Sequence, residues 1–146
     1  MARILPPWFE NISKRQRRAP KVYVRDTGLL HTLLGLERIG QLRSHPKYGA
    51  SWEGFALEQV LMRYGDRNAY YWATQRGAEL DLLIMHGGKR FGLEFKCQDA
   101  PRMTKSLHIA MEDLKLERAF VVYPGEDSYP LGERAEAMPL SGFSLE

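Results

Sequence analysis

The chain has 146 residues, 44% hydrophobic and 27% charged, enough for one globular domain that buries about two-thirds of its unfolded surface. Its net charge of +3 sets 21 basic against 18 acidic residues, so the overall balance scarcely favours an anionic partner. No apolar run approaches the roughly 20 residues of a membrane span and no secretory leader is visible, so a membrane partner is not expected. The single cysteine, Cys97, fits a reducing compartment, with the cytoplasm as the expected location.

At the start of the chain, Pro6-Pro7 forces an extended path, and Trp8 and Phe9 need something to pack on. Residues 1–20 read as an incoming linker or edge segment, as in a piece cut from a larger protein. Lys14, Arg15, Arg17, Arg18 and Lys21 follow one another with no acid among them. Such a block suits phosphate contacts, and equally a solvated loop or an acidic protein surface. Residues 20–26 predict a short strand, after which Asp26 or Thr27 can cap a helix over 28–34 that stops at Gly35. Residues 36–48 read as loop with room for one helical turn.

A firm helix is predicted over 51–64, ending at Gly65. Spacing residues at about 100° puts Leu57, Val60 and Tyr64 near Glu53, in the middle of the apolar face, and turns Glu58 away. A carboxylate on a buried face needs a reason. It is either favourable placement in the first turn, at the positive end of the helix dipole, or a site residue aimed at a hairpin further along the chain.

Residues 68–74 are an aromatic-rich strand, and 75–78 turn the chain into that hairpin, over 79–96. Gly87-Gly88 suits a two-residue turn, because both glycines can take positive φ. Counting outward pairs His86 with Lys89, Ile84 with Phe91, Leu82 with Leu93, Asp81 with Glu94, and Glu79 with Lys96. Alternation then gives one apolar face of Leu80, Leu82, Ile84, Phe91, Leu93, Phe95 and Cys97. The other face carries Glu79, Asp81, Glu94 and Lys96. Two carboxylates directly opposed repel, and a hard cation between them would turn repulsion into ligation. A surface hairpin with Glu79 and Lys96 as a solvated pair shows the same alternation.

Thr104 can cap a helix to about residue 115, and 118–123 is an apolar run suited to a central strand. Met138-Pro139-Leu140 suggests a short edge strand. The sum is one α/β domain over 1–146, a mixed central sheet flanked by helices. His31, His45, His86 and His108 lack metal-ligand spacing, and neither a nucleophile elbow nor a dinucleotide loop is present.

Glu53, Asp81 and Glu94-Phe95-Lys96 resemble the active-site pattern of the PD-(D/E)XK nuclease superfamily, with Leu80 where a proline usually precedes the Asp. A wider resemblance takes in residues 5–11, 20–23, 26–29, Gly49 with 53–55, 79–81 and 94–96. It is to the C-terminal domain of a group of prokaryotic AAA+-type ATPases placed among the same folds. It implies a restriction-endonuclease-like fold, with an upstream ATPase and winged-helix region as partner in the same polypeptide. This chain has no P-loop of its own and hence no ATP site. The resemblance also implies a Mg2+ (or Mn2+) centre held by Asp81, Glu94, the Phe95 carbonyl and Glu53, with Lys96 orienting water or stabilising charge. The expected function is then a magnesium-dependent phosphodiesterase of low sequence specificity, gripping nucleic acid through Lys14, Arg15, Arg17, Arg18 and Lys21. The alternative is a catalytically inactive module of the same fold that binds DNA or protein for its ATPase.

Overall fold

A computed structural model describes residues 2–10 and 19–146. Lys14, Arg15, Arg17 and Arg18 lie outside the described residues, and Lys21 lies within them. In chain order the elements are β1 (Ala2–Leu5), β2 (Lys21–Val24), α1 (Thr27–Leu33), α2 (Ile39–Ser44), α3 (Tyr48–Tyr64) and β3 (Ala69–Ala73). Then come β4 (Glu79–His86), β5 (Lys89–Phe95), α4 (Lys105–Asp113), β6 (Arg118–Tyr123), β7 (Tyr129–Gly132) and β8 (Ala135–Pro139).

Six strands form a mixed sheet in the order β3-β4-β5-β6-β8-β7. The β5–β6 and β6–β8 pairs are parallel, and the others antiparallel. Strand β6 is buried along nearly its whole length because both of its faces are covered. Phe120 and Val122 join Leu57, Val60 and Leu61 of α3 on one side, whereas Ala119 and Val121 join Leu107 and Ala110 of α4, and Leu114 at its C-terminal cap, on the other. The domain is therefore α/β, with a helix on each face of the sheet. The strand expected at the edge near Met138 is instead β8, one place inside it. The outermost strand is β7, whose proline and glycine gave little strand signal.

Gly87 and Gly88 take φ of 57° and 75°, which a two-residue hairpin turn requires and a Cβ would penalise. The register His86–Lys89, Ile84–Phe91 and Leu82–Leu93 follows the count from that turn. The ladder ends at Leu82–Leu93, so Asp81 and Glu94 are not a ladder pair. Against β3, Tyr70 pairs with Leu83 but Trp72 with Leu80, which leaves one extra residue in β4. An extra residue reverses the facing of the strand beyond it. Leu80 thus leaves the side of Leu82 and Ile84 and packs with Leu83 and Trp72 beneath α4, correcting the single apolar face expected. Cys97 is half-buried beyond the end of β5, outside the core.

Strands β1 and β2 form a separate antiparallel ribbon. Its inward residues are Arg3 and Leu5, opposite Tyr23 and Lys21, and its outward pair is the exposed Ile4 and Val22. The chain then runs along β3, with the Tyr71 N–H donating to the Pro6 carbonyl at 3.0 Å and the Trp8 N–H to the Tyr71 carbonyl at 2.7 Å. Trp8 packs edge-on against Tyr70, with the Arg90 guanidinium over its ring. Residues 2–8 are accordingly paired structure along two partners.

Glu58 does not point away. It is only 6% exposed and receives Arg3 at 2.9 and 2.6 Å and Arg25 at 2.9 Å. Arg3, itself 7% exposed, also pairs with Asp66. Helix α3 is covered by the sheet on one side and by the ribbon on another, so a single apolar stripe misjudged it. No helix among the described residues is long and apolar enough to cross a membrane.

Candidate functional site

The candidate residues sit at the end of the β4–β5 hairpin remote from its turn. Past Leu93 the Phe95 N–H points back toward β4, where a strand carbonyl would normally meet it. The Asp81 carboxylate takes that place, with Oδ2 accepting from the Phe95 N–H at 3.0 Å. The extra residue in β4 makes this possible, since it removes the Asp81 backbone from the ladder. Asp81 is thereby held where the two strands part.

Glu94 is 4% exposed and lies on the side of the sheet opposite its neighbour Phe95. Both carboxylate oxygens receive the Thr104 hydroxyl, at 3.0 and 3.1 Å. The same oxygen of Thr104 accepts from the Leu107 N–H at 3.0 Å, capping α4. A chain of hydrogen bonds therefore runs from the first turn of α4 to Glu94, each link polarising the next. The cap was legible in sequence; its second bond, to a carboxylate ten residues upstream, was not.

Glu53 is half-buried on α3, which begins at Tyr48 and not at residue 51. It lies beyond the first turn, so the helix-dipole account of it fails. Burial raises its pKa, and Asp81 and then Glu94 raise it further, while Lys96 and Lys21 pull it down. Glu94 is likewise raised, by burial first and then by Asp81, against the Thr104 bond and Lys96. Glu53, Asp81, Glu94 and Lys96 therefore share one electrostatic neighbourhood, in which three carboxylates outnumber one ammonium. None of the ion pairs among the described residues involves these four. Among the described residues, no three His, Cys, Asp or Glu side chains are drawn together to metal-ligating spacing.

Tyr23 also belongs to this neighbourhood, and nothing in the sequence pattern singled it out. Burial, followed by the charges of Asp81 and Glu53, pushes its phenol up to about 12. Its ring lies against Gly54, with Cδ1 3.7 Å from where a Cβ would stand. Lys21, two residues earlier on the same face of β2, places its Nζ 5.0 Å from the Tyr71 ring centroid. The concavity lined by His86, Lys89, Phe91 and Arg118 lies at the turn end of the hairpin, about 16 Å of strand from the acids, and is a separate feature.

The three carboxylates are oxygen donors of the kind a hard divalent cation takes, and the Cys97 thiol stands within the field of Glu53 beside them. The carboxylates' donor chemistry matches such an ion; their spacing among the described residues does not yet do so.

The family described as Domain of unknown function (DUF4143) matches residues 48–143. A second, Domain of unknown function (DUF8612), matches residues 1–39. Uncharacterised proteins of Mycobacterium tuberculosis and Mycobacterium bovis are each 49% identical over 139 residues, covering 95% of this chain. The chain spans 32% of the length of those relatives. No solved structure matches it.

Proposed function

The chain belongs to the DUF4143 family, and from the acids that share one electrostatic neighbourhood with Lys96 we propose that it is a nuclease-like domain of restriction-endonuclease type, a magnesium-dependent phosphodiesterase acting on DNA. The observation that carries this reading is the shared field of Glu53, Asp81 and Glu94, in which burial and mutual repulsion raise Glu53 and Glu94 while Lys96 opposes them. Asp81 and Glu94, with Glu53 and the Phe95 carbonyl, are the groups that would hold Mg2+ or Mn2+. When bound, the ion supplies a Lewis acid and a lowered pKa for water. Lys96 would orient an attacking water or meet charge developing on the phosphate. Asp81, fixed by the Phe95 N–H, and Glu94, fixed by Thr104, keep their positions without the ion. In a longer polypeptide the domain serves an ATPase, in the cytoplasm.

One observation favours the catalytically inactive alternative, a module that binds DNA or protein for that ATPase. Asp81 and Glu94 are already engaged by protein donors, and no three-acid cluster stands at ligating spacing among the described residues. Calorimetric titration with Mg2+ and Mn2+, run beside cleavage of a labelled oligonucleotide, separates the two. Metal binding with strand cleavage, both lost in Asp81→Ala, is the expected result. A wild type that neither binds millimolar metal nor cleaves would overturn the phosphodiesterase reading.

A further inference from the structure

A phosphodiester approaching three carboxylates is repelled, and Lys96 is outnumbered by them. A second cation whose charge reaches Glu53 is Lys21, which comes from the ribbon and not from the hairpin. Alternation along β2 gives Lys21 and Tyr23 a common face, and Arg25 follows just past the end of the strand. That face is turned toward α3, since Arg3 and Arg25 both bond Glu58 and Leu5 lies in the core. Along α3, Gly54 and Glu58 are one helical turn apart and face the ribbon; Tyr71, with Lys21 over its ring, stands against the bulge of β4 that holds Asp81. The Tyr23 ring lies beside the helix at Gly54. The backbone leading into β2 is fixed as well, because the Tyr71 hydroxyl donates to the Ala19 carbonyl at 2.6 Å. The ribbon belongs to the segment matched by one family, and the acids to the segment matched by the other.

We propose that Lys21 and Tyr23 form the substrate-receiving wall of this site, Lys21 pairing with a phosphate oxygen and the neutral Tyr23 phenol donating to a neighbouring backbone oxygen. The proposal rests on the phosphodiesterase reading and deepens it. It assigns Lys21 to the site itself and not to the basic run before it. It also gives the ribbon a task besides covering α3. Both are positioning residues: they hold the substrate, and the chemistry stays with the acids and Lys96.

The test uses a fluorescein-labelled phosphorothioate oligonucleotide in Mg2+, followed by anisotropy across a salt series, with Mg2+ affinity measured separately by calorimetry. Lys21→Gln should weaken oligonucleotide binding about tenfold and flatten the salt dependence by about 0.7 for a single strand. Its Mg2+ affinity should hold or rise, because a cation near Glu53 is gone; merely structural damage would lower both. Tyr23→Phe keeps the ring packed and should weaken binding about threefold, leaving the salt slope unchanged. If the wild type binds metal and oligonucleotide but both variants match it, this inference fails and the phosphodiesterase reading survives. Variants that lose Mg2+ binding, oligonucleotide binding and melting temperature together also overturn it. A wild type that binds neither probe removes the phosphodiesterase reading and this inference with it.

Discussion

Glu58→Gln keeps the shape of the side chain and removes its charge, and the structure fixes what that should cost. Glu58 holds two bonds from Arg3 and one from Arg25. Arg25 is half-exposed, so its share is at most about 1 kcal/mol. Arg3 is different, because at 7% exposure its guanidinium cannot turn to water. Removing one partner of a buried pair costs about 3–5 kcal/mol. Asp66, still on Arg3, holds the loss to about 3 kcal/mol. In a domain of this size that is roughly 6–12 °C of melting temperature. Urea unfolding with an unchanged m-value is the assay, since m reports the surface exposed and not the ion pair. Arg3→Met combined with Glu58→Met should lose much less than either single change, because no lone buried charge remains. A loss under about 1 kcal/mol for Glu58→Gln, with additive doubles, would refute the reasoning and mean that the ribbon is held by Leu5 and its backbone alone.

Thr104→Val removes both a helix cap and the hydroxyl on Glu94, so it should cost about 1–3 kcal/mol and raise the Glu94 pKa further, read by melts and by NMR titration. The metal-free domain should be most stable in mild acid. Glu53 and Glu94, raised in the folded state, bind protons more tightly there than in the unfolded chain, so stability rises as pH falls from neutral. Glu58, lowered by Arg3 and Arg25 against its burial, loses its contribution as pH drops below its ordinary 4.5. Melting temperatures that fall steadily from pH 8 to pH 5 would contradict this ordering.

The hairpin was readable because Gly87-Gly88 sets a register that counting can extend, and β6 because an unbroken apolar run has few other uses. The start of α3 was not, since Lys47 caps it without a side-chain bond and no Ser, Thr, Asp or Asn announces it. That shift of a single turn decided between two accounts of Glu53. Leu80 was misplaced because a bulge leaves no trace in composition. Glu58 was misjudged and Tyr23 passed over for a common reason: each owes its surroundings to contacts between the ribbon and α3, more than 30 residues apart in sequence. Asp81, Glu94 and Lys96 could be nominated from one strand pair. Thr104 could not, because its bond to Glu94 exists only once α4 has crossed back over the sheet.

Both margins of the six-stranded sheet are guarded. Pro130 sits within β7 and offers no N–H to an incoming strand. At the other margin, the strip from Pro6 to Trp8 already occupies the N–H and carbonyl of Tyr71. Trimming the first ten residues as though they were a tether would bare that backbone and strip Arg3 from Glu58 in one cut. The shortened chain would present an aromatic strand of Tyr70, Tyr71 and Trp72 with open hydrogen-bonding groups, a template for cross-β self-association. Solubility, as much as stability, thus depends on a segment whose prolines look like the opening of a linker.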